Sequence, residues 1–223
     1  MKTAKLLTFS LLALIMLGMA ALISCGKDDD VQPEETLDIR NPEGYFLYVR
    51  QSNHDGSYRS TFLFEFAAGK MVEIHLPNGV DSSPYTVIDD QTIDIGGGIR
   101  FVFNNNLITS NREDFQEIVL IKAQEKDQLA GKTFSGTYYH ADMSVLHDNF
   151  FYSFAAGGNT VDVGLNVGTT LRTESYTSIG NFAARAELDN GDIEFLVLVN
   201  GKLEVNYKAQ GVAGNHYGTF TRQ

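Results

Sequence analysis

Few residues in this sequence have types and spacings that could do chemistry, and most of these are histidines beside carboxylates. Residues 140–148 read HADMSVLHD, and His54-Asp55 falls in a comparable loop of the first half. Imidazole and carboxylate together suit Zn²⁺ or Cu²⁺. His140 and Asp142, two apart, would share one face of a strand. Against this, Asp55-Gly56 and Asp148-Asn149 are turn formers, and a histidine beside such a pair is commonly solvated. The two His-Asp pairs also align only with a gap of several residues, so no metal is assigned. Asp89-Asp90 with Asp94 could imitate the paired carboxylates of a glycosidase. Adjacent strand residues point to opposite faces, however, and Asp89-Asp90-Gln91 sits where a turn is expected. Gly96-Gly97-Gly98 precedes a strand, so it offers phosphate no helix N-terminus and reads as a hairpin turn. The motifs of serine hydrolases, zinc proteases, P-loops and dinucleotide sites are absent. The expectation is a non-enzyme without a cofactor.

The remaining candidates are aromatic. FLFEFAAGK at 62–70 returns as FFYSFAAGG at 150–158, an offset of 88 residues. Three flanking matches keep the same order. Gly44-Tyr45-Phe46 answers to Gly136-Thr137-Tyr138, Tyr85-Thr86-Val87-Ile88 to Tyr176-Thr177-Ser178-Ile179, and Ile99-Arg100-Phe101 to Ile193-Glu194-Phe195. Two copies of one unit follow, over residues 41–125 and 126–223. Phe62, Phe64 and Phe66, and in the second copy Phe150, Tyr152 and Phe154, alternate and so share one face of a strand. These six residues, with Phe101 and Phe195, either fill a core or line a pocket for an apolar or sugar ligand.

The elements that position them read as strands. Phe182, Ala184, Ala186 and Leu188 alternate with polar neighbours, as do Leu203, Val205 and Tyr207. Residues 193–199 (IEFLVLV) are apolar on both faces after Glu194, as in a covered strand. Asp189-Asn190-Gly191-Asp192 and Asn200-Gly201 mark hairpins. The polar link 124–131 is expected to form at most one helical turn. The fold class is all-β, with two tandem antiparallel meanders of up to eight strands. Each closes as a small barrel or sandwich, or both build one joint structure; closure hides sheet edges.

The N-terminus gives an address. Lys2 and Lys5 precede an apolar run from Leu6 to Ile23, the layout of a secretory signal over residues 1–24. Leu22-Ile23-Ser24-Cys25 resembles the lipobox of bacterial lipoproteins. That resemblance implies that Cys25, the only cysteine, carries diacylglycerol and begins the mature chain. Several acyl chains anchor stably where one does not. Residues 25–40 read as an acidic tether. Within it, Gly26-Lys27-Asp28-Asp29-Asp30 resembles the export tag of surface lipoproteins of the Bacteroidota, implying the outer leaflet of the outer membrane, with a periplasm-facing anchor as the alternative. The glycine-plus-aromatic opening strands resemble the lipocalin-like domains of such lipoproteins, although the chain has no tryptophan, and Tyr45 and Tyr138 stand near the place where that family usually has one.

Charge narrows the partners. The net charge is −11, and loss of Lys2 and Lys5 makes it more negative, so no electrostatic footprint for nucleic acid exists. The expected membrane partner is the one reached through the lipid anchor, and protein partners stay open. The expected function is a non-enzymatic envelope lipoprotein that binds a small apolar molecule or glycan, or serves as accessory subunit of a surface complex. The alternative is a structural or adhesive display scaffold.

Overall fold

A computed structural model describes residues 37–53, 59–104, 107–211 and 214–223. Cys25, the tether up to residue 36 and the His54-Asp55 pair lie outside the described residues. Among the described residues all regular structure is β. The first eight strands are β1 (Tyr45–Ser52), β2 (Arg59–Ala67), β3 (Met71–Leu76), β4 (Gly79–Val87), β5 (Thr92–Ile95), β6 (Ile99–Asn104), β7 (Leu107–Ser110) and β8 (Phe115–Lys122). Nine more follow: β9 (Thr133–Tyr139), β10 (Val145–Phe154), β11 (Thr160–Asn166), β12 (Thr169–Ser175), β13 (Thr177–Ile179), β14 (Ala183–Glu187), β15 (Ile193–Val199), β16 (Lys202–Lys208) and β17 (His216–Arg222).

Two antiparallel sheets result, in the orders β7-β6-β5-β4-β3-β2-β1-β8 and β12-β11-β10-β9-β17-β16-β15-β14-β13. In each, the last strand returns to pair with the first, β8 with β1 and β17 with β9, so each sheet is a nearly closed, barrel-like meander. The turns use the expected residues. Asn200 and Gly201 both take positive φ between β15 and β16, as do Gly97 and Gly98 between β5 and β6, where left-handed backbone matches the twist of the paired strands.

Three cores form. Leu47, Phe64, Phe66, Tyr85, Ile93 and Phe101 fill the first interior. Phe134, Tyr138, Tyr152, Phe154, Val161 and Phe220 belong to the second. A third joins the sheets back to back, with Phe46, Tyr48 and Leu63 against Phe182, Phe195 and Val197. Residues 38–223 are therefore one compact unit. Its seam also holds buried polar groups. The Thr61 N–H donates to Asn206 Oδ1 at 2.8 Å, and Arg185 donates to the Gly79 carbonyl at 2.7 Å.

The aromatic repeat has a structural counterpart. Phe66 meets Tyr85 edge-on with ring centroids 5.5 Å apart, and Phe154 meets Tyr176 in the same way at 5.4 Å. In both, the tyrosine N–H donates to a carbonyl of the turn that leads into the neighbouring strand, Lys70 in the β2–β3 turn or Asn159 in the β10–β11 turn. The outer flanks correct the sequence alignment. Leu47 pairs with Phe64 and Phe134 with Tyr152, so Gly44 corresponds to Gly131, and both have positive φ. Gly136 instead lies mid-strand, where a Cβ would meet the Thr219 carbonyl oxygen at 2.3 Å. Phe101 and Phe195 are likewise not equivalent, because one faces the first interior and the other the seam.

Residues 124–131 form bends and a turn, within the expectation of at most one helical turn, and their Leu129 is fully buried in the second interior. Asp127 caps this link by accepting from the Leu129 and Ala130 N–H groups. Phe182 leaves the face of Ala184 and Ala186 for the seam, because Gly180 and Asn181 take positive φ just before it.

Candidate functional site

The two interiors are closed at one end in the same manner, by Ile39 in the first and Leu129 in the second. They differ at the other end. In the first sheet, Phe62, Phe64, Phe101 and Phe115 pack ring against ring, with centroids 5.3–6.4 Å apart. At the matching end of the second sheet is an open pocket of about 210 Å³, lined by Tyr138, Leu146, His147, Phe150, Arg172, Glu194, Tyr207 and His216.

The floor of this pocket is ionic. β12 is an edge strand, and its alternation turns Arg172 and Glu174 inward together. Glu194 enters from β15, where it is the one charge in an apolar run and only 1% exposed. The Arg172 guanidinium spans the unpaired seam between β12 and the β13–β14 edge, pairing with Glu174 through Nε and with Glu194 at 2.5 Å. Tyr152 donates to the same Glu194 oxygen at 3.0 Å. Glu174 Oε2 and Glu194 Oε2 are buried with no donor beside them.

Burial raises the Glu194 carboxyl well above its ordinary range, and the neighbouring Glu174 carboxylate adds to the rise, while Arg172 opposes it. The rise favours the neutral, protonated form of Glu194 beside Arg172. Burial and Glu194 together also raise the Tyr138 and Tyr152 hydroxyls, so both are neutral donors.

Histidines stand at the mouth. The His147 ring stacks on Phe150 at 5.8 Å and 15°, and His140 meets His216 at 5.2 Å. Burial, then His140 and also His147, lower the His216 pKa, and its Nδ1 is buried without a partner. Tyr207 donates to Asp192, a carboxylate that this hydroxyl and the Gln210 N–H hold below the usual range.

The residues singled out from sequence are distributed as follows. Phe150 lines the pocket and Tyr152 braces its floor; Phe154 is buried toward the closed end beside Tyr176. Phe64 and Phe66 are core in the first sheet, with Phe62 half-buried beside them. Asp142 is not on a strand with His140; it lies in the β9–β10 turn, its carboxylate taken by the Ser144 N–H and hydroxyl. Asp89 and Asp90 occupy the β4–β5 turn, Asp90 pairing with Arg40, while Asp94 pairs with Arg100. Among the described residues, a group whose donor atoms could hold a cation is Glu65, Glu73 and His75, all within 4.8 Å of one another.

Sequence reading missed Arg172, Glu174, Tyr207 and His216 as site residues. A usable signal existed in Glu194, a carboxyl inside a strand otherwise apolar on both faces. No family model matches the chain, and neither a curated protein nor a solved structure does.

Proposed function

We propose that the protein is a non-enzymatic, lipid-anchored envelope protein that binds a small ligand in the pocket of its second sheet. Cys25 is the anchor, placed at the outer membrane and facing the cell surface by the resemblances of its flanking residues. The observation that carries the binding role is an arginine, paired with two buried carboxyl groups, on the floor of an open pocket. The Arg172 side chain lines the pocket and keeps 34% exposure, so its guanidinium is a donor that a ligand can reach. A display scaffold is the second reading, favoured by the solid first interior and the broad apolar seam.

Two experiments test this. Cys25→Ala is expected to release the protein from the membrane fraction; a variant that sediments with the outer membrane overturns the anchor. A ligand-observed NMR screen of small polar compounds is expected to yield binders that Arg172→Leu abolishes. A screen without binders leaves the scaffold reading.

A further inference from the structure

We propose that Glu65, Glu73 and His75 form a binding site for a divalent transition cation of the Zn²⁺ class on the outer face of the first sheet. The site is separate from the pocket of the second sheet and does not rest on the binding role proposed above.

The strands bring the three donors together. Phe64 and Phe66 on β2, with Val72 and Ile74 on β3, belong to the first interior. By alternation Glu65, Glu73 and His75 point to the outer face. Glu65 pairs directly with Glu73, and Leu63 with His75, which sets His75 diagonal to Glu65 across the ladder. Leu63 belongs to the seam core, and His75 beside it is buried. Glu65 is half-buried and Glu73 exposed. The three thus run from the margin of the seam out to solvent.

Two carboxylates face each other here without a fixed counter-charge, and like charges directly opposite on a sheet destabilise it. Among the described residues neither has a lysine or arginine partner. The His75 Nε2 lies 2.8 Å from Glu65 Oε2, a contact that leaves Glu73 unbalanced. A divalent cation serves all three groups at once. It offsets both carboxylate charges and takes the imidazole lone pair. One imidazole with two carboxylates suits Zn²⁺ and its neighbours, whereas Ca²⁺ and Mg²⁺ take oxygen ligands. His75 Nδ1 is buried and unpartnered, so Nε2, on the carboxylate side, is the ligating nitrogen. The donor atoms lie within 4.8 Å of one another. Bonds of about 2.0–2.2 Å in tetrahedral directions set ligands roughly 3.4 Å apart, and rotation of the exposed Glu73 side chain supplies the difference. Three protein ligands leave a fourth position for water.

The test titrates the untagged full chain in detergent with Zn²⁺, followed by calorimetry and by NMR of the assigned imidazole signals, with Ca²⁺ and Mg²⁺ as contrasts. One saturable Zn²⁺ site is expected, and among the five histidines the His75 ring is the one whose signals move with it. Glu73→Gln, an exposed change that leaves His75 and the seam in place, is expected to weaken Zn²⁺ by at least about tenfold, since loss of even an outer hydrogen-bond partner of a metal ligand costs that much. Glu65→Gln is expected to do the same, with circular dichroism checked for an unaltered fold. Glu113→Gln, exposed between β7 and β8, should leave the affinity unchanged. Absence of saturable Zn²⁺ binding overturns the proposal. Saturation that moves other histidines in place of His75, or that Glu73→Gln leaves unaltered, overturns it as well. Preference for Ca²⁺ or Mg²⁺ over Zn²⁺ overturns the part assigned to the imidazole.

Discussion

The open ends of the two sheets are built from corresponding strands and finished differently. In the first, Phe62, Phe64, Phe101 and Phe115 meet in edge and stacked contacts, and Arg112 lies over the last ring at 5.4 Å. In the second, Phe150 and Tyr152 occupy the places of Phe62 and Phe64, but Arg172, Glu174 and Glu194 replace further rings. An interior of eight or so strands is wide enough either to be filled by side chains or to hold one small ligand. The same meander has taken both outcomes. Rings that satisfy each other close the first. A tyrosine hydroxyl and a buried ion pair leave partners unfilled in the second.

The largest expected effects test whether the closed ends are alike. Phe66→Ala and Phe154→Ala should each cost about 3–5 kcal/mol, as truncation of buried aromatic side chains does. Each ring is at most 3% exposed and meets a tyrosine edge-on. Thermal or urea unfolding measures both; a large loss at one and none at the other would break the correspondence. Next comes the seam that lets the sheets differ without separating. Asn206 is fully buried and bonds the Thr61 N–H and the Arg59 carbonyl. Asn206→Ala strands both, and about 1–3 kcal/mol should be lost. Unfolding in two steps, one per sheet, would instead mean that the seam is not what makes the unit cooperative.

Much of this was legible in the sequence, for a physical reason. Strand alternation and turn chemistry are local, so Phe62-Phe64-Phe66, Asn200-Gly201 and Gly97-Gly98 announced strands and hairpins directly. Faces are not local. Leu63, Glu204 and Asn206 read as the outward side of their strands, yet all three are buried, because a second sheet lies there and no pattern in either strand says so. The site failed to show for the same reason. Arg172 and Glu194 are 22 residues apart on strands that never pair, and only closure brings them together. Phe182 misled because the left-handed Gly180 and Asn181 turn it away before its strand begins, and Gly136 misled because it answers to a close approach of the Thr219 carbonyl rather than to the turn that Gly44 makes.

The smallest effect is the most specific to the second sheet. Glu194 has a raised carboxyl pKa in the folded chain, caused by burial and then by Glu174, against about 4.3 when unfolded. The folded state therefore binds this proton more tightly. Its contribution is complete below about pH 4 and is lost as pH rises through the folded pKa. Glutamine is shaped like the protonated acid; its carbonyl can accept from Arg172 and Tyr152, and its amide can donate to Glu174. Glu194→Gln should thus cost about 1 kcal/mol or less near pH 4 and become stabilising relative to the parent as pH rises. Glu204, also buried and raised by that burial, titrates in both proteins and cancels in the difference. Melting curves from pH 4 to 9 read the sign. If parent and variant keep a constant separation across that range, Glu194 carries no extra proton, and the second interior is as insensitive to pH as the phenylalanine-filled first.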